Sequence, residues 1–357
     1  MKTIHKLAAL CIAMMLLVAA VACGTTNQTV NGPTEVAEPE ATKAPATTSE
    51  PEATEKPEAT AEPTAAPVQS VPVHVAALTG PTGVGLAYLK EASPNYLLEL
   101  FTEPTQVVAK FSNGEMDIAA VPINLAATLY KKLNGDVVTI AVNTLGVLYF
   151  VENGNTIADI SDLAGKTVYA TGQASTPQYI LEKILADNGL TDSVTVEYVA
   201  EASQLAAELA ENNDVTVAFL PEPMVSVACA KSETVRVALS ANELWKAHND
   251  AEIVQGVYVV RRAFLEANHA AVEQFLLDAK GSVTRVLSDE NAAEAVVELG
   301  VIGQVPIAKR AIPNCNIVLI TGGKMKELVS AMLETLYQAD PKSVGGALPS
   351  DDFYYIP

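Results

Sequence analysis

Basic residues are scarce in this chain. Its 357 residues hold 22 Lys and Arg against 42 Asp and Glu, a formal charge of −20. Such an acidic surface repels nucleic-acid backbones and anionic headgroups, which excludes nucleic acid as a partner and excludes membrane adsorption through the globular part. Histidine is sparse too. His5, His74, His248 and His269 are the four present; none follows a glycine-rich turn or stands near a candidate nucleophile, so catalysis lacks its usual parts. The four cysteines show no metal-ligand spacing. A glycine-rich turn at residues 79–85 lacks both the Gly-Lys-Ser/Thr ending of a phosphate loop and the G-x-G-x-x-G order of a dinucleotide fold. These absences predict a protein that is not an enzyme and carries no cofactor or metal. Aromatic residues make up 5% and there is one Trp, but an apolar share of 49% is ample for a core. The length exceeds what one core sustains, so two lobes are expected.

The chain divides by composition. Residues 1–23 have the parts of a secretory signal: Lys2, His5 and Lys6 at the start, then an apolar run over residues 7–21 that is short for a membrane span. Ala20-Val21-Ala22-Cys23-Gly24 resembles a bacterial lipoprotein cleavage box, which would make Cys23 the lipidated N-terminus. A signal cleaved after Ala22, leaving Cys23 an ordinary thiol, is the alternative. No second long apolar segment exists, so an anchored chain is expected, held by acyl chains at roughly 0.8 kcal/mol per methylene. Residues 24–70 repeat Glu-Pro, Ala-Thr and Glu-Ala-Thr without an aromatic residue. Such a segment cannot bury enough surface to offset its ordering entropy and is read as a tether, with a reach on the order of 100 Å.

Residues 71–357 alternate short apolar runs with amphipathic stretches, the pattern of an α/β fold whose sheets are covered on both faces. Ligands in such folds sit beyond the carboxyl ends of strands. The run at 73–78 reads as a strand feeding the turn Thr79-Gly80-Pro81-Thr82-Gly83-Val84-Gly85, with a helix from about Gly85 to Ala92. That order suits a ligand site, because glycines allow close approach and a helix start has unpaired N–H groups; a plain tight turn is the alternative. A strand at 116–122 ends near Asn124. The design repeats with a strand at 166–170, the turn Thr171-Gly172-Gln173-Ala174-Ser175-Thr176-Pro177, and a helix stopped by Gly189. A strand at 215–220 ends in Pro221-Glu222-Pro223, which holds Glu222 rigidly at the ligand edge unless it is a solvated loop carboxylate. Residues 147–151 and 254–260 read as the two crossings between lobes. Cys229 and Cys315 could form a disulfide, but bridging them would lock the lobes, and two buried thiols are expected.

Three runs, DIAAVPIN at 117–124, KTVYATGQAST at 166–176 and VAFLPEP at 217–223, resemble the substrate-binding proteins of bacterial ABC importers. The nearest group is that of nitrate, sulfonate, taurine and thiamine-precursor binders. The likeness extends over residues 71–357, including Asn314–Asn316 and KSVGGALPSDDF at 342–353. It implies a two-lobe type II periplasmic-binding fold with two crossing strands as hinge: residues 71–148 and 254–357 in one lobe, 149–253 in the other. It implies ligand contacts from Thr82, Gly83, Asn124, Thr144, Thr171, Gln173, Ser175, Thr176 and Glu222. It also implies an extracytoplasmic lipoprotein, monomeric, whose partners are a small solute, the membrane through Cys23, and an ABC permease with its ATPase.

The turns carry no Lys or Arg, and Glu222 would oppose an anion at close range. A nitrogen-containing metabolite therefore suits Glu222 best. A sulfonate- or nitrate-type anion held by hydroxyls and helix N–H groups is the alternative, and a ligand-sensing lipoprotein or a fold-related enzyme would be distinguished by gene neighbours and by turnover.

Overall fold

The computed structural model describes residues 71–211, 214–249 and 251–357. The signal, Cys23 and the tether lie outside the described residues. Among those described, no helix is long and apolar enough to cross a membrane.

Among the described residues, eleven strands form two sheets. In chain order they are β1 (Val73–Leu78), β2 (Tyr96–Phe101), β3 (Ile118–Pro122), β4 (Val138–Leu145), β5 (Leu148–Asn153), β6 (Thr167–Ala170), β7 (Thr195–Tyr198), β8 (Val217–Pro221), β9 (Val235–Ser240), β10 (Val254–Val260) and β11 (Ile317–Ile320). The first sheet has the order β2-β1-β3-β10-β4-β11 and the second the order β7-β6-β8-β5-β9. β1 runs parallel to β2 and β3, while β10 runs antiparallel to β3 and β4. In the second sheet β6 is parallel to β7 and β8, and β5 is antiparallel to β8 and β9.

The unbroken apolar runs follow from burial on both faces. In β1, Val73, Val75 and Ala77 enter a core closed by Phe275 of the helix His269–Ser288, while Ala76 and Leu78 enter the core beneath Leu129 and Val329. In β5 and β8 the same alternation sends Phe150 and Phe219 to one side and Tyr149 and Leu220 to the other. Phe150 and Phe219 meet at a ring-centroid distance of 4.8 Å.

The chain passes between sheets at Gly146–Val147 and returns after β9 through the helix Ala241–Lys246 and Ile253. These crossings touch: a Cβ on Gly146 would lie 3.1 Å from Asn242 Cβ and 3.2 Å from Ile253 Cβ. Pairing fixes which strand ends face them. Gly256 of β10 pairs with both Pro122 and Thr144, which sets the end of β3 beside the end of β4. Leu148 pairs with Pro221, which sets the start of β5 beside the end of β8. The parallel strands of both sheets therefore direct their carboxyl ends to the crossing region.

Three features differ from the sequence reading. Residues 148–151 and 254–260, expected within the crossings, lie in β5 and β10 inside the two sheets. The helix expected from Gly85 to Ala92 is instead two single turns, Pro81–Val84 and Leu89–Ala92. Amides between them bond three residues back, as in Leu86 N–H to Gly83 carbonyl at 3.1 Å. The cause is tertiary: a Cβ on Gly85 would stand 3.0 Å from Val283 Cγ2, so the backbone follows the neighbouring helix and not its own 3.6-residue period. The edge strands β9 and β11 were not expected.

Gly256 is the tightest point of the first sheet. A Cβ there would lie 2.5 Å from Thr82 Cγ2 and 2.6 Å from Asn143 Oδ1. Gly256→Ala is expected to cost about 1–3 kcal/mol through overpacking. Gly281 lies within the helix His269–Ser288 with open space around it, so Gly281→Ala should add about 0.5–1 kcal/mol. Urea denaturation of both variants checks the opposite signs.

Candidate functional site

At the end of β1, the amide of Gly83 bonds to the Gly80 carbonyl at 3.1 Å. A Cβ on Gly83 would meet the Leu78 carbonyl at 2.8 Å, so close packing alone accounts for this glycine. Thr82 is buried, and its carbonyl accepts from Asn143 Nδ2 at 3.2 Å. Asn143 Oδ1 in turn accepts from Thr144 Oγ1 at 3.0 Å. Thr144 thus uses its hydroxyl within a buried set that ties β4 to the first turn. Asn124 is the second residue of the helix Ile123–Lys132 and half-buried. Its carbonyl accepts from Thr128 Oγ1 at 2.9 Å, while its side-chain amide has no partner among the described residues.

The second turn is built by backbone geometry. Gly172 has φ +77° and Ala174 φ +57°, both left-handed. Ser175 Oγ donates to the Gly172 carbonyl at 2.6 Å, and the Ala174 amide donates to Gln178 Oε1 at 2.6 Å. Ser175 therefore closes its own turn. Thr171 is buried at the end of β6, and Gln173 is exposed. Thr176 opens the 12-residue helix Thr176–Asp187. The residue is 3% exposed and its Oγ1 has no hydrogen-bond partner among the described residues. Three residues along, Tyr179 donates to Asp340 Oδ2 of the first lobe at 3.1 Å.

Glu222 is 1% exposed, which removes the solvated-loop alternative. Oε2 accepts from the Ser226 amide at 3.1 Å, and Oε1 accepts from Ser226 Oγ at 3.1 Å and from Asn314 Nδ2 at 3.3 Å. The first bond satisfies an amide in the first turn of the helix Met224–Lys231, and the third reaches the segment before β11. Burial pushes the carboxyl up and the Ser226 and Asn314 bonds pull it back, leaving it at about 7. Asn314 is held on its other side, its carbonyl accepting from Tyr149 Oη at 2.8 Å. Asn316 Nδ2 donates to the Gly146 carbonyl at the crossing. Cys229 and Cys315 are free thiols, the first half-buried and the second buried. No cluster of three His, Cys, Asp or Glu among the described residues is placed to hold a metal.

The structure brings Thr82 and Thr144 into contact with one set, and Thr171 to Thr176 into another, each at strand ends facing the crossings. Asn143, Tyr149 and Asn314 were missed. Asn143 adjoins Thr144 in a buried strand, where only pairing tells a used amide from a free one; Asn314 lies 92 residues from Glu222.

A sequence profile of the family described as the periplasmic phosphonate substrate-binding protein of ABC transporters matches residues 86–309, more than half of the chain. No curated protein matches the chain in sequence. Among solved structures, an ABC transporter protein from Parabacteroides distasonis is 23% identical with a TM-score of 0.68, the match covering 81% of this chain and 99% of that one. The periplasmic aliphatic sulphonate-binding protein SsuA of Escherichia coli is 17% identical with a TM-score of 0.63, covering 80% and 92%. The periplasmic nitrate-binding protein NrtA of Synechocystis PCC 6803 is 12% identical with a TM-score of 0.52, covering 77% and 84%. At these identities the structural likeness is one of fold: two α/β lobes joined by crossing segments.

Proposed function

This chain belongs to the periplasmic phosphonate substrate-binding family of ABC transporters, and on that premise we propose that it closes two lobes over a small oxyanion at the strand-end turns. The lobes are residues 71–148 with 254–357, and residues 149–253. Thr82, Asn124, Thr171, Gln173 and Thr176 are the contacts we assign, from hydroxyls and side-chain amides that donate readily. A donor-rich set beside a helix N-terminus favours a ligand rich in acceptors. The observation that carries this reading is the buried, unpartnered hydroxyl of Thr176 at the first position of its helix. A buried polar group without a partner is costly, so a ligand oxygen that meets it gains accordingly.

The amine-bearing metabolite read from the sequence leaned on Glu222. That carboxylate lines a cavity that holds none of the contacts assigned here, which weakens its claim on a cleft ligand. The family's phosphonate description, and the sulphonate and nitrate named for two structural neighbours, support the oxyanion side. Closure would remove the ligand from water and strengthen each polar contact. The protein would then deliver its cargo to an ABC permease and its ATPase as a monomer anchored through Cys23, in transport and not in catalysis.

Calorimetric titration of the full chain with methylphosphonate, methanesulfonate and nitrate tests the reading. At least one should bind, and Thr176→Val should weaken it by about 1.5–3 kcal/mol, the range for a bond to a charged group. Equal affinity in variant and wild type would remove Thr176 from the site. No response to any of the three would overturn the oxyanion reading.

A further inference from the structure

Where the two lobes meet, beside the strand-end turns, there is a cavity of about 260 Å³. None of Thr82, Asn124, Thr171 or Thr176 lines it. Glu222 and Ser226 come from the end of β8 and the helix after it, Arg236 from β9, and Arg310 and Asn314 from the first lobe. Val225, Val235 and Val237 give it an apolar wall.

Its lining carries opposite charges that do not pair with one another among the described residues. Glu222 is buried. Oε1 accepts two hydrogen bonds and Oε2 only one, and each carboxylate oxygen has two lone pairs, so Oε2 can take another donor. Arg310 is exposed. Its carbonyl accepts from Asn314 Nδ2 at 3.2 Å, but its guanidinium has no hydrogen bond or ion pair among the described residues. It is near enough for its charge to act on the Glu222 carboxyl. On the same wall, Arg236 Nε is buried without a partner.

We propose that this cavity is a second small-molecule site, taking a compact zwitterion whose ammonium donates to Oε2 of Glu222 and whose carboxylate or other oxyanion pairs with Arg310. The valine wall suits a short methylene spacer between the two charges. The size of the cavity limits the occupant to a small molecule of this kind. Because Glu222 and Arg310 belong to different lobes, an occupant ties the lobes together. The site goes beyond the cleft reading and shares no lining residue with the contacts assigned there.

The test is calorimetry on the full chain with glycine, β-alanine and 4-aminobutyrate, against propionate and propylamine as single-charge comparisons. At least one zwitterion should bind, and both single-charge compounds should bind more weakly by about tenfold or more, as loss of a charge-assisted bond requires. Arg310→Ala, at an exposed position, and Glu222→Gln should each weaken the zwitterion by a similar factor. Arg310→Ala should leave methylphosphonate affinity unchanged, while Thr176→Val should leave zwitterion affinity unchanged, so the two sites fail separately. Absence of binding by all three zwitterions, or binding that Arg310→Ala does not alter, overturns the proposal. Zwitterion binding lost in Thr176→Val but kept in Arg310→Ala would place the zwitterion in the strand-end cleft and overturn it as well.

Discussion

Arg236→Met is expected to destabilise the chain by about 1–3 kcal/mol, because it leaves a nearly buried carboxylate without its half-exposed cation. Arg236 on β9 stands directly opposite Glu152 on β5 in the strand register. Glu152 is 2% exposed, and one guanidinium nitrogen of Arg236 donates both to it and to the Ile157 carbonyl. The same carboxylate accepts from the Thr156 amide at 2.9 Å and the Ile157 amide at 3.2 Å, folding the loop after β5 around it. Burial alone would raise this carboxyl, yet the amide bonds and Arg236 outweigh it and hold it below the usual range. A group lowered in this way contributes stability above its unfolded pKa, and that contribution is lost as pH falls through the folded value. Urea denaturation at pH 7 reads the loss. Glu152→Gln combined with Arg236→Met should recover much of it, since the side-chain amide keeps an acceptor for the loop N–H groups and removes the uncompensated charge. A loss below about 1 kcal/mol in the single variant would mean that water reaches Glu152 and screens it as at a surface.

This pair also shows where the sequence could be read and where it could not. β1 and β10 are legible to the residue because both faces of each strand are buried, so the apolar run and the element coincide. The sequence VRVALS of β9 has only its first residue buried. Its place in the sheet depends on the partner strand some 84 residues away, the separation of Arg236 from Glu152. The split helix after β1 was hidden for the same kind of reason. Nothing in the local pattern of Gly85 shows that Val283 will pack against its backbone.

The candidate site divides along the same line. Two prolines and a preceding apolar run mark Glu222 as a rigidly placed carboxylate, and the structure buries it. Its three donors were not legible, because Ser226 looks like any helix serine and Asn314 lies in another lobe. The ABC importer resemblance was carried by three short runs that are all strand ends with their turns. In the second of these turns Gly172 takes a left-handed φ of +77°, which glycine adopts without strain. Of the two ligand classes read from the sequence, the nitrogen-containing metabolite followed the free-carboxylate view of Glu222, and the phosphonate description of the family sits with the oxyanion alternative.

Glu222→Gln is expected to make the chain more stable at pH 8, by up to about 3 kcal/mol, while leaving it unchanged near pH 4. The carboxyl titrates at about 7 in the folded chain against an ordinary value of 4.5. Between those limits the folded state keeps a proton that the unfolded state has released. The unfolded state therefore binds fewer protons, and raising the pH through this window favours unfolding. Burial is the leading cause, and the groups around Glu222 offer limited compensation. Tyr149, Cys229 and Cys315 are each pushed up by burial and stay neutral, and Arg310 is the cation that acts on it. Glutamine keeps an acceptor for the Ser226 amide, and its NH2 group can donate to Ser226 Oγ; the Asn314 bond, the longest of the three, is given up, while no charge has to be buried. Melting temperatures measured from pH 4 to pH 8 should fall for the wild type across the window and stay flatter for the variant. A variant less stable than the wild type at pH 8 would show that the Ser226 and Asn314 bonds to the ionised carboxylate outweigh its burial. In that case the junction is held together by the charge and not in spite of it.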